Sequence, residues 1–138
     1  MSGYLLDTTP LAAYLFARQR AVALIRPWVI QGEAATSILV YGEVIEHLRG
    51  RPNYLQYHQA LRRLLRGVTP WIPTYDILER YADIRRTLRP TGNLIGDMDT
   101  LIAATALERD LTLVTCDGHF QRVPDLSVML IAPQQLRQ

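Results

Sequence analysis

Gly96–Phe120 reads GDMDTLIAATALERDLTLVTCDGHF, and the fold is decided by how this stretch is parsed. Its first half is an apolar helix that opens on Asp97 and Asp99. A short turn follows, then the β-branched run Leu111–Thr115, then Asp117. A helix feeding a strand that lacks polar alternation belongs to a sheet covered on both faces. The spacing carries the three aspartates toward one edge of that sheet.

Outward from this stretch, short apolar runs and helical segments alternate. Tyr4-Leu5-Leu6 is a first strand, stopped by Asp7. Thr9 is placed to cap the next helix, with Pro10 at its first position. A segment from Gln19 to Ile30 is helical, with Pro27 expected to kink or split it. Ala34–Ser37 reads as a second strand, and Ser37 caps the helix Ile38–Leu48, which Gly50 ends. Further helices are expected over Tyr54–Arg66 and from Thr74 to about Leu88. Val68–Ile72 between them reads as an edge strand because it contains Pro70. A last strand lies near Ser127–Ile131. Repeated strand–helix alternation predicts an α/β domain with a parallel sheet. Residues 1–132 form one such domain, and 133–138 a short C-terminal tail.

Composition narrows the function. With 138 residues, 49% of them hydrophobic and 20% charged, the chain can bury a core and present a polar surface. No apolar run is long enough to span a bilayer, and Met1–Asp7 does not read as a signal peptide, so a cytoplasmic location is expected. A single cysteine, Cys116, excludes an internal disulfide, and with His47, His58 and His119 scattered, a structural zinc site is not expected. Cys116 reads as a packing residue. All 15 basic residues are arginine, which removes every mechanism that needs a lysine. The net charge of +2 is a weak hint of a polyanionic partner.

Ligands of open parallel sheets bind beyond the carboxyl ends of the strands. Asp7 ends the first strand, Asp117 follows the Leu111–Thr115 strand, Asp99 opens the helix before it, and Glu43 lies on the helix after the second strand. Each has a plain structural explanation. Asp97 is an N-cap with Thr100 three residues on, Asp99 gains from the helix macrodipole, Asp117-Gly118 is a turn, and Glu43 sits on a polar face. Two acids at one helix start exceed what capping needs, however. Gly42 costs its helix about 1 kcal/mol relative to alanine, which suggests that something approaches closely beside Glu43. Several carboxylates within a few ångströms require a compensating positive charge. Oxygen-only ligation suits Mg²⁺ or Mn²⁺, and the chemistry such ions serve is phosphodiester hydrolysis.

These residues resemble the PIN-domain family, and within it the VapC toxins of toxin–antitoxin modules. The matching pieces are Leu5-Leu6-Asp7-Thr8, Tyr41-Gly42-Glu43, Asp99-Thr100-Leu101-Ile102-Ala103-Ala104 and Leu113-Val114-Thr115-Cys116-Asp117 with His119-Phe120. The resemblance implies an α/β/α sandwich around a parallel sheet and a Mg²⁺- or Mn²⁺-dependent endoribonuclease with one or two ions, in which metal-activated water attacks the scissile phosphate. Carried over by position, Asp7, Glu43, Asp99 and Asp117 are the metal-binding acids, with Asp97 secondary. Thr8 and Thr115 would orient those carboxylates or a metal-bound water. Thr9 departs from the asparagine often seen at that position.

The resemblance also implies an RNA substrate, a cognate antitoxin whose C-terminal segment wraps the toxin, and a homodimer. Arg62, Arg63 and Arg66, and again Arg85, Arg86 and Arg89, are possible RNA contacts, although a solvated helix face explains either group. The alternatives are a housekeeping PIN nuclease in RNA processing, a binding module without chemistry, and a phosphatase or phosphoacceptor domain using Asp7 as nucleophile. The last is disfavoured because Thr9 stands where a second aspartate is wanted and lysine is absent.

Overall fold

A computed structural model describes residues 3–138. Five parallel strands form one sheet: β1 (Gly3–Leu6), β2 (Ala34–Ser37), β3 (Thr69–Trp71), β4 (Leu111–Thr115) and β5 (Val128–Leu130), in the order β3-β2-β1-β4-β5. The central strands are the most apolar. Leu5 and Leu6 of β1 and Leu113 and Val114 of β4 are fully buried, as a strand covered on both faces requires. β3 is an edge strand, which is why it tolerates Pro70 at its centre.

Six α-helices connect the strands: α1 (Thr8–Leu15), α2 (Gln19–Ile30), α3 (Ile38–Leu48), α4 (Tyr54–Leu64), α5 (Tyr75–Leu88) and α6 (Asp97–Glu108). The chain winds outward from β1 through β2 to β3, then returns across the sheet to β4. Helix α1 packs on α2, α3 and α4, while α5 pairs with α6. Right-handed crossovers running in opposite directions place the two groups on opposite faces. The result is the expected three-layer α/β/α arrangement. Ile102, Ala103, Ala104 and Ala106 of α6 are all buried, as are Leu11, Ile25, Val40 and Val44 from the helices of the other group.

Three local expectations are revised. Asp7, not Thr9, precedes α1, which starts at Thr8 and puts Pro10 at its third residue. Asp7 contributes no capping bond because its carboxylate is engaged elsewhere. Helix α2 runs through Pro27 as one element, so the proline does not split it. At α6 the N-cap position is taken by Gly96 and not by Asp97. The last residues pack back on the domain: Pro133–Leu136 form a 3₁₀ turn, Leu136 is buried, and the Arg20 N–H donates to the Gln138 carbonyl at 2.9 Å.

Candidate active site

The reversal of winding direction falls between β1 and β4. Strands on either side of such a point send their following loops apart and leave a crevice at their carboxyl ends. The register pairs Leu6 with Val114, and the Asp7 N–H donates to the Val114 carbonyl at 2.9 Å. Asp7 therefore lies level with Thr115, and the Thr115 hydroxyl donates to Asp7 Oδ2 at 2.7 Å. The same Thr115 oxygen accepts from the Asp117 N–H at 3.0 Å. One buried hydroxyl thus fixes both the Asp7 carboxylate and the backbone that carries Asp117. From the other side, Thr36 of β2 donates to the Leu6 carbonyl at 2.7 Å and steadies the strand just before Asp7.

Glu43 enters from α3, where the Thr8 hydroxyl donates to its Oε1 at 2.6 Å. Asp99 enters from the first turn of α6. Asp7, Glu43, Asp99 and Asp117 line one cavity of about 530 Å³, together with Thr8, Thr9 and Cys116. The four acids predicted from sequence are brought together. Among the described residues Asp7, Glu43 and Asp99 form no ion pair, and Asp117 is faced only by His119, with Nδ1 at 3.5 Å.

The electrostatic cost is visible in the carboxyl groups. Burial pushes the Asp99 carboxyl up to about 6, and the charges of Asp7, Asp117 and Glu43 add to this. Asp7 is raised first by burial. The Thr115 hydroxyl and the Thr8 backbone oppose that shift, and the Glu43 and Asp117 charges reinforce it. Such a set is held against its own repulsion by the surrounding fold, and a cation would relieve it. The donors are all oxygen, which fits a hard divalent ion and not zinc. Among the described residues no three acids, histidines or cysteines stand close enough together to form a group that could hold a metal ion.

Asp97 does not join this pocket. Its carboxylate lies on the opposite side of the α6 start, 70% exposed, where it accepts from Arg85 at 2.8 Å and from the Tyr81 hydroxyl at 3.0 Å. Its secondary metal role is therefore withdrawn, and its capping role passes to Gly96. Gly42 has open space where a Cβ would sit, so no protein group packs against Gly42 itself. Of the arginines, Arg85 is occupied by Asp97, Arg86 and Arg89 are exposed on the neighbouring segment, and Arg62, Arg63 and Arg66 line a separate surface depression on α4. Sequence reading missed Thr9, Cys116 and Pro133 as lining residues. Thr9 and Cys116 are next to predicted site residues and could have been inferred. Pro133 arrives from the chain end and carries no local signal. The Cys116 thiol is pushed up by burial and by the Asp7 charge, which keeps it protonated and unsuited to nucleophilic work.

Residues 4–126 match the PIN domain family. This chain belongs to the PIN-domain family. It is 30% identical over 125 residues to ribonuclease VapC1 of Haemophilus influenzae, covering 89% of this chain and 93% of that one. It is 32% identical over 124 residues to ribonuclease VapC19 of Mycobacterium tuberculosis, covering 88% and 95%. Among solved structures, VapBC-1 from nontypeable H. influenzae superposes with a TM-score of 0.70 at 28% identity, covering 92% of this PIN domain and 96% of that chain. VapBC2 from Rickettsia felis, solved with a promoter DNA fragment, shares the fold with a TM-score of 0.81 at 22% identity, covering 92% and 97%. No helix among the described residues is long and apolar enough to cross a membrane.

Proposed function

We propose that this PIN domain is a divalent-metal-dependent endoribonuclease and the toxin of a two-protein toxin–antitoxin module. The observation that carries the reading is the convergence of four carboxylates from four chain segments on one crevice, with no arginine to neutralise Asp7, Glu43 or Asp99. The VapC names of its relatives supply the substrate class. Asp7, Glu43, Asp99 and Asp117 would hold Mg²⁺ or Mn²⁺. When bound, the ion supplies an activated water and offsets charge on the phosphate.

The chain's own residues set the geometry. Thr115 keeps the Asp7 carboxylate turned into the crevice, and Thr8 does the same for Glu43. Asp99, whose carboxyl sits at about 6, takes its full negative charge when positive charge enters beside it. Thr115 also holds the backbone at Asp117, so the acids after β1 and β4 cannot drift apart independently. No histidine is required as base.

The VapBC-1 assembly among the structural neighbours supports a partner antitoxin for this chain, and in this reading that partner would cover the crevice and offer it a basic side chain. A homodimer and a cytoplasmic location belong to the same reading. The decisive experiment is divalent-dependent cleavage of RNA by the purified chain, with the cleavage ends sequenced after induced expression. Ends that cluster at defined positions in the wild type and vanish in Asp7→Asn support the nuclease. Equal cleavage by both proteins refutes the carboxylate mechanism.

A further inference from the structure

A second cavity of about 580 Å³ opens directly from the acid crevice, sharing Thr8, Thr9, Glu43 and Pro133 with it. It runs between α1, α3 and the C-terminal 3₁₀ turn. Beyond the residues that it shares with the acid crevice, Arg18, Arg51 and Arg137 line it. Glu46 shares the groove without pairing with any arginine among the described residues.

Arg51 differs from the other two. Its guanidinium carbon lies 4.3 Å above the centre of the Phe16 ring and 5.8 Å from that of Tyr57. The two rings form an edge-to-face pair at 4.9 Å. A guanidinium seated on aromatic rings is fixed in place while its N–H donors stay free. Among the described residues those donors meet no carboxylate and no hydrogen-bond acceptor, and none is counted among the buried unpartnered atoms. The groove thus holds a fixed cation with unused donors, one cavity away from carboxylates suited to a phosphate-bound metal.

We infer that this groove carries the RNA strand flanking the scissile phosphate, with Arg51 as a positioning residue that grips a neighbouring phosphate. The inference rests on the nuclease reading and deepens it. RNA fits because three arginine forks suited to phosphate oxygens outnumber the acids Glu43 and Glu46 on the lining, and because the groove is continuous with the reaction crevice.

The test uses a fluorescein-labelled pool of short single-stranded oligoribonucleotides, with Kd from anisotropy and kcat and KM from cleavage. Arg51→Ala should raise Kd and KM by about 5–30-fold with kcat changed less than about twofold, and should flatten the salt dependence by about one charge. Arg51→Lys should restore the salt slope but not the full affinity, since it lacks the stacking fork. Arg51→Met keeps apolar cover on Phe16 and removes the charge, so it reads the charge even where the alanine variant folds poorly. An unchanged Kd and salt slope in Arg51→Met overturns the inference. Loss of a co-expressed protein partner alongside that unchanged Kd would give the groove to a protein and overturn it equally. Asp7→Asn tests the nuclease reading separately, because it should remove kcat whether or not Arg51 touches RNA.

Discussion

Asp97 and Asp99 stand two residues apart at the start of one helix and live in opposite electrostatic worlds. Asp97 faces solvent and has Arg85 and Tyr81 to share its charge. Asp99 faces the crevice between β1 and β4, where its neighbours are Asp7, Asp117 and Glu43 and its carboxyl is pushed up to about 6. The helix start treats both alike through its macrodipole. What separates them is the helical rotation of about 200° over two positions, which sends one side chain toward α5 and the other over the sheet edge. A cluster of acids therefore says little about function until each is asked what neutralises it. Asp97 is paired within the chain, and Asp99 is the one left for the proposed metal ion to neutralise.

The largest expected effect would break the comparison outright. Asp7→Asn and Asp99→Asn should each lower divalent-dependent RNA cleavage by at least about a thousandfold, on the scale of removing an electrostatic stabiliser of a transition state. Asp97→Asn should leave the rate within about twofold, because a surface ion pair contributes only about 0–1 kcal/mol and lies outside the crevice. Initial-rate assays of the three variants decide the matter, and a large loss in Asp97→Asn alone would reverse the assignment.

A smaller loss is expected one bond further out. Thr115→Val removes the hydroxyl that holds Asp7 and the Asp117 backbone, and should cost about 10–100-fold in activity or metal affinity. Metal titration followed by the cleavage rate would show it as a shifted midpoint. Thr8→Val, which frees only Glu43, should cost less.

The pH dependence of stability sharpens the contrast without any substrate. The Asp99 carboxyl is raised in the folded chain from an ordinary value of 3.8 to about 6. Between these values the folded state binds more protons than the unfolded state. The stability of the metal-free protein therefore falls as pH rises through this window. Asp99→Asn removes that penalty. In chelator its melting temperature should exceed wild type by roughly 2–5 °C at neutral pH, an amount kept small by solvent screening at a half-exposed group. The gap should close below about pH 4 and should shrink again as Mg²⁺ or Mn²⁺ is added. A variant that is never more stable than wild type would show that the acids do not strain one another. The smallest effect is expected of Asp97→Asn and Arg85→Ala, each destabilising by less than about 1 kcal/mol in thermal melts.

Much of this was legible in the sequence because it rests on short-range rules. Tyr4–Leu6 and Leu111–Thr115 are strands because apolar runs without alternation are usable only in a sheet covered twice. Ser37 caps α3 as its position dictates, accepting from the Leu39 N–H at 3.1 Å. Strand polarity placed Asp7 and Asp117 at one sheet edge, and helix position with the family resemblance added Glu43 and Asp99. Apart from Pro27, the errors share one cause, the partner supplied from elsewhere in the chain. Asp97 looks like a cap until Arg85 and Tyr81 arrive from α5. Asp7 leaves its own helix uncapped because Thr115 claims its carboxylate. Pro133 lines the crevice, and Arg51 the groove beside it, only because the C-terminal turn and the segment after α3 fold back beside α1. Nothing local to those residues announces it.

The bond between Thr115 and Asp7 joins residues 108 positions apart. Loop closure over such a span comes late, since its entropic cost must be met before the contact is gained. During synthesis the first acid emerges long before Asp99 and Asp117 exist, and β1 waits unpaired on that side until β4 is made. The crevice is consequently absent from every nascent chain shorter than Asp117. A catalyst built this way has no active precursor, so its onset in time is set by translation and final folding together.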